Sequence, residues 1–286
     1  MKTEDARALC LPARAKQLAE NALTDLVSLL EQGKSEALTA YLATMARFHH
    51  YSWGNALLIH LQRPDATMMG KRSAHPHVAG FHTWRKLGRI VQRGEHGIVI
   101  LAPMLFRRKP EEQTDEEAQP KALRGFRGVY VFDVTQTEGE PLPEFAAVQG
   151  DPSHCAAKLK ALVAEKGIAL TYTPHTGGAE GVSRGGSILL RPGLSPAEEF
   201  SVLVHEFAHE LLHQKLSFAE RSRRRLEIEA EAVAFVVCHA IGLDTNTANS
   251  DYLQLYGGNR EALEASLESI QRAASTILTG LLQNGH

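Results

Sequence analysis

Cysteine is scarce in this chain. Only Cys10, Cys155 and Cys238 occur in 286 residues; their odd number and wide scatter exclude a disulfide framework and a cysteine-based metal site. Long apolar runs are missing as well. The longest, Ala232 to Cys238, is seven residues, too short to cross a bilayer. The first residues, Met1-Lys-Thr-Glu-Asp-Ala-Arg7, are charged and lack the apolar stretch of a signal peptide. The expectation is a cytoplasmic protein with no membrane partner. No sign of charge dominates: Lys plus Arg is 31 against 33 for Asp plus Glu, a net charge of −2. A globally basic nucleic-acid binder and an acidic tail protein are both excluded, although a local patch is not. Hydrophobic residues reach 43%, enough for ordinary cores and too many for a disordered chain.

The balance of charge is broken locally. Nine cations fall between Lys71 and Lys109 (Lys71, Arg72, Arg85, Lys86, Arg89, Arg93, Arg107, Arg108 and Lys109), and Glu95 is the one acid among them, a local net charge of 9 − 1 = +8. Glu111 to Glu117 follows with five acids between Pro110 and Pro120, which reads as an exposed loop. Helical periodicity marks 13–32, 35–48 and 53–62. Gly33 stands at a C-cap, Ser52 at an N-cap, and Pro64 stops the third helix. Strands are predicted at 89–92, 98–106 and 129–134. The Pro- and Gly-rich stretch 135–151 is read as a boundary between domains 1–145 and 151–286. The second domain reads as a helix near 155–166, a strand at 168–173, a Gly-rich loop at 177–186, a strand at 187–191, and helices at 196–214, 220–242 and 259–282. The fold class is α+β in two domains, the first a small antiparallel sheet with helices.

His205-Glu-Phe-Ala-His209 is the sharpest chemical signal. Residues four apart on a helix share a face, so both imidazoles can reach one metal ion, and Glu206 can take the proton of a metal-activated water. Ser195-Pro-Ala-Glu198 upstream is a helix-start signature. The helix's apolar residues Val204, Phe207, Ala208 and Leu211 fall on the side away from the histidines, which suits the wall of a cleft. His209-Glu210-Leu-Leu-His213 is a second, overlapping match. His205 and His213 lie ~12 Å apart along the axis and cannot share an ion, so one register is spare. A third ligand is expected on the next helix, where Glu227 and Glu231 share a face and Glu229 points away. One of the aligned pair can bind metal while the other supports a ligand histidine; the alternative is a solvated face paired with neighbouring arginines.

His205-Glu-x-x-His209 followed by Glu227-x-x-Ala230-Glu231 resembles the gluzincin-type metallopeptidases of the ImmA/IrrE kind. The resemblance implies a zincin-like fold and the first histidine register. It makes Glu227 the third ligand, Glu231 the supporting acid, and Glu206 general base and then acid. The implied metal is zinc, with Mn, Fe or Co also compatible with these ligands. Tyr252 is the candidate oxyanion stabiliser. Gly181 to Leu190 resembles the edge strand along which such enzymes align an extended peptide, which implies a protein or peptide substrate.

Both tryptophans lie among the cations, in Tyr51-Ser-Trp53-Gly-Asn55-Ala-Leu-Leu and in Gly80-Phe-His-Thr-Trp84-Arg-Lys-Leu-Gly-Arg89-Ile-Val-Gln-Arg93-Gly-Glu-His-Gly97. Aromatics interleaved with Arg and Lys suit single-stranded nucleic acid; the alternative is two core tryptophans beneath a basic face. These segments resemble the N-terminal single-stranded-DNA-binding domain of the ArdC antirestriction family, and Phe132-Asp-Val-Thr-Gln136 continues the pattern. The family joins that domain to a zincin-like peptidase domain and protects incoming plasmid DNA from restriction. Trp53, Asn55, Lys71, Arg72, Trp84, Arg85, Lys86, Arg89 and Arg93 are the candidate DNA-binding residues, the cations foremost. Two rival readings remain: a non-catalytic DNA-binding protector with a structural metal, and a site-specific peptidase that cuts a regulatory protein.

Overall fold

The computed structural model describes residues 3–63, 78–106, 122–140, 152–212, 223–243 and 259–282. Three helices come first: α1 (Thr3–Glu31), α2 (Ser35–Arg47) and α3 (Trp53–Gln62). The Ser52 hydroxyl accepts from the Asn55 N–H, the expected N-cap of α3. There follow β1 (Val78–Gly80), α4 (Phe81–Lys86), β2 (Arg89–Val91), β3 (Ile98–Phe106), β4 (Ala122–Asp133) and β5 (Thr137–Gly139). Strands β1, β4 and β3 form one antiparallel sheet in that order, and β2 pairs with β5.

Three sequence expectations change here. Strand β4 starts at Ala122 instead of 129, because it pairs along the whole of β3. Its early glycines hide that strand from propensity, yet Gly128 has a use: a Cβ there would sit 2.7 Å from the Leu11 backbone, so the missing side chain lets α1 cross the sheet. The stretch from 135, read as a boundary, carries β5, which pairs with β2 and so is part of the strand framework. Helix α4 was not expected, since six residues are too few for a periodicity signal. The acidic 111–117 segment lies outside the described residues.

The second half holds α5 (Pro152–Glu165), β6 (Ala169–Tyr172), β7 (Gly181–Ser183), β8 (Ser187–Leu190), α6 (Pro196–Leu212), α7 (Arg223–Ile241) and α8 (Arg260–Leu282). Strand β8 is central in its sheet, parallel to β6 and antiparallel to β7, which leaves β7 at an edge. The capping box of α6 forms as its sequence directs: the Ser195 N–H donates to Glu198 Oε2 at 2.9 Å and the Glu198 N–H to Ser195 Oγ at 3.4 Å.

The halves do not stand apart. A continuous buried core runs from Leu42, Met45 and Leu58 through Val233 and Val237 of α7 to Leu267 and Ile277 of α8. Helix α2 packs against α7. The Gln271 amide of α8 donates to the carbonyls of His49 (3.0 Å) and Tyr51 (2.8 Å), which pins the corner between α2 and α3. No described helix is long and apolar enough to cross a membrane.

Candidate metal centre and nucleic-acid interface

Helix α6 buries Phe200, Leu203, Val204, Phe207 and Ala208 on one side. His205 and His209 remain half-buried on the other, at the wall of a cleft of about 960 Å³. Glu227, in the first turns of α7, completes a triangle. The two Nε2 atoms are 3.1 Å apart, and each is 3.4 Å from Glu227 Oε2. Ligand atoms around a tetrahedral ion at ~2.05 Å stand about 3.3 Å from one another, so these three atoms fit a first-row divalent ion without rearrangement. Among the described residues this is the one cluster of three or more His, Cys, Asp or Glu side chains that could hold a metal. The histidine contacts hold the Glu227 carboxyl well below the usual carboxylate range, despite partial burial.

Glu231 lines the same cleft one turn beyond Glu227. Glu229 points the other way, as the helical spacing requires. It is buried against α8, where it accepts from Arg225 Nε at 3.0 Å and from the Ser266 hydroxyl at 2.6 Å.

Glu206 reaches toward β7 and accepts from the Ser183 N–H. Burial pushes its carboxyl above the usual range, against the pull of His205, His209 and that N–H, with Glu227 adding to the rise. The close approach depends on Gly181, where a Cβ would stand 2.7 Å from both Glu206 Cγ and Val202 Cγ1. Gly181, Val182 and Ser183 form the rim of the cleft opposite the histidines.

The carboxylate of the overlapping motif has a different use. Glu210 is buried and accepts from Ser183 Oγ (2.5 Å), Gly185 N (2.8 Å) and Gly186 N (2.7 Å). It clamps the turn between β7 and β8 onto α6. No local pattern signals this role, since the donors, one hydroxyl and two backbone N–H groups, lie some 25 residues away. His213 and Tyr252 lie outside the described residues.

The N-terminal candidates separate sharply. Trp84 is 1% exposed and its indole N–H donates to the Phe132 carbonyl at 2.9 Å. It is a core residue and offers no surface to DNA. Asn55 is likewise taken by the fold: its amide donates to Leu101 O (2.8 Å) and accepts from Leu101 N (2.9 Å). Gln62, two helical turns on, does the same for Val99. The two amides close the free edge of β3, which would otherwise present unpaired backbone groups. Trp53 packs partly buried against the core, and its carbonyl accepts from the Tyr41 hydroxyl. Arg89 spends its guanidinium on Thr137 Oγ1 (2.8 Å), Thr137 O (2.9 Å) and Glu140 O (2.6 Å), and so fastens β2 to β5. Arg85, Lys86 and Arg93 remain exposed. Lys71 and Arg72 lie outside the described residues.

A helix-borne H-E-x-x-H completed by a glutamate from the next helix is the zincin type of metal site. The comparisons place both halves. Residues 16–132 match the N-terminal domain of anti-restriction factor ArdC. Residues 160–267 match the IrrE N-terminal-like domain, a peptidase-family domain. The chain therefore joins an ArdC-type N-terminal domain to an IrrE-like domain. The antirestriction protein ArdC from the R388 plasmid has the same fold: its metal-free structure is 18% identical with a TM-score of 0.55, covering 94% of this chain and 99% of that one. Its Mn(II)-bound structure is 19% identical with a TM-score of 0.55, covering 93% and 99%. An uncharacterised protein of Bacillus anthracis is 24% identical over 302 residues, covering 91% of this chain. The chain spans about half the length of that relative, 49%.

Proposed function

We propose that this protein is an antirestriction factor of the ArdC kind, whose N-terminal half holds single-stranded DNA and whose C-terminal half is a metal-dependent endopeptidase. The observation that carries the reading is the convergence of His205, His209 and Glu227 at tetrahedral spacing, with Glu206 beside them and the edge strand β7 across the cleft. A divalent ion held there, zinc or manganese, supplies carbonyl polarisation and a more acidic water. The protein's own groups do the rest. Strand β7 aligns an extended peptide by main-chain pairing, and Glu206, its proton affinity raised by burial, accepts a proton and passes it to the leaving amine. Glu231 supports the ligands from one turn away, and Tyr252 is the proposed oxyanion stabiliser. The ArdC relative has a metal-free and an Mn(II)-bound structure, which supports an ion used for chemistry over one needed for folding.

The test combines bound metal per chain with cleavage of labelled casein. One equivalent is expected in wild type, lost in His205→Ala and Glu227→Ala and retained in Glu206→Gln, with cleavage lost in all three. Protection of transferred DNA that survives Glu206→Gln but not charge reversal of Arg85 and Arg93 would favour the non-catalytic protector. The opposite ranking favours a peptidase that cuts one regulatory protein.

A further inference from the structure

The N-terminal motif leaves one aromatic without a use in the fold. In Gly80-Phe81-x-x-Trp84-x-x-x-Gly88-Arg89, Trp84 fills the core and Arg89 ties β2 to β5. Phe81 does neither: it is 42% exposed, and its ring meets edge-on that of its exposed neighbour His82, 5.8 Å between centroids. Its place in the chain brings it to the end of the sheet that carries a second exposed ring: Gly80 pairs with Val131, the residue that follows Tyr130, and Phe81 opens the helix directly after that pair. Tyr130 is 44% exposed, on the face of β4 turned away from Val129 and Val131, which meet the core. On its other side Tyr130 lies against Gly97, where a Cβ would be 2.9 Å from Tyr130 Cβ. That glycine ends the turn carrying Arg93 and His96, and Gln136 holds the turn through Glu95 Oε2 (2.6 Å) and the His96 carbonyl (2.9 Å). Arg85 stands one helical turn from Phe81 on the same side of α4.

We infer that Phe81 and Tyr130 are a base-stacking platform for single-stranded DNA, with the exposed cations Arg85 and Arg93 meeting the phosphates on either side. The inference rests on the single-stranded-DNA reading proposed above and assigns the residues that carry it. Two exposed rings with cations at their margins are what an unpaired strand requires, since each base has a π-face and each nucleotide a negative charge. A duplex hides its base faces and has no use for the rings. Phe126, also exposed, lies on the far side of Gly128, where α1 crosses the sheet. It is outside the platform and serves as the control.

The experiment is fluorescence anisotropy of a labelled oligo-dT twenty-mer against the full chain, titrated at several salt concentrations. Phe81→Ala and Tyr130→Ala are each expected to weaken binding roughly five- to tenfold or more with little change in salt slope. Arg85→Ala and Arg93→Ala should each lower that slope by about 0.7. Phe126→Ala should bind as wild type, and Tyr130→Phe should restore binding because the ring suffices. A wild-type chain that binds oligo-dT while Phe81→Ala and Tyr130→Ala match it overturns the platform and leaves the single-stranded-DNA reading standing. A wild-type chain that ignores oligo-dT overturns both. Near-ultraviolet circular dichroism of each variant shows that the fold is kept, so a binding loss is read as lost stacking.

Discussion

The two halves of this molecule each carry a conspicuous motif, and the motifs are conspicuous for opposite reasons. In the C-terminal half, His205, Glu206, His209 and Glu227 line a cleft, and the first, third and fourth could hold a metal ion there. In the N-terminal half, Trp84, Asn55 and Arg89 are consumed by the framework: one fills the core, one closes a strand edge, one fastens two strands. Ligand-bearing side chains at fixed helical spacing must remain available to an ion. Trp, Asn and Arg serve equally well as structural staples, because each combines a large or planar body with donors that satisfy buried backbone groups. A motif thus marks constraint, and only geometry says whether the constraint is chemical or architectural.

The sharpest way to break this comparison is to separate the halves. Removing residues 1–145 strips α2 from α7 and uncovers the apolar face around Val233 and Val237. The remaining chain is expected to lose its cooperative thermal transition, whereas the whole protein is expected to unfold in one step by calorimetry. Two well-resolved transitions in the full chain would show independent domains instead. Next in size, Trp84→Ala should cost about 3–5 kcal/mol in urea unfolding, as a buried aromatic does. Asn55→Ala follows at about 1–3 kcal/mol, because it leaves the Leu101 N–H and C=O unpaired. His205→Ala draws the contrast: in the metal-free protein its stability should stay within about 0.5 kcal/mol of wild type, while metal binding disappears.

The smallest effect is a pH dependence. Burial raises the Glu199 carboxyl, but the hydrogen bonds from Lys160 and Tyr172 outweigh it and hold the group below its ordinary value. A depressed carboxylate contributes stability that is full above its unfolded value of about 4.5 and is lost as pH falls through the folded one. Lys160→Met should therefore lower the unfolding midpoint slightly near neutrality and make its acid-side fall shallower, so that variant and wild type converge at low pH.

Most helices were legible because their signals are local. The Ser195 capping box and the Ser52 N-cap act within a few residues and formed where they were read, and the leucine spacing marked α1 itself, although that helix starts at Thr3, ten residues before the reading of 13–32. The strands were legible only in part. The glycines of β4 weaken its pattern while β3 supplies the pairing that makes it a strand, and β5 exists only because β2 is beside it. The exposed rings of Phe81 and Tyr130 were missed for a related reason. They come from segments about fifty residues apart, and nothing in either segment announces the other.

Sequence alone determined that His205 and His209 share one turn-spaced stripe of one helix, since an i,i+4 relation is fixed by the helix itself. It also determined that Glu227 and Glu231 share a face while Glu229 does not. Only the tertiary structure decided which carboxylate meets the histidines, because that depends on how α7 crosses α6. The same packing gave Glu210 to the β7–β8 turn, set Gly181 against Glu206, and joined both halves through one core. Those relations hold between groups far apart along the chain, where sequence spacing constrains nothing and close packing constrains almost everything.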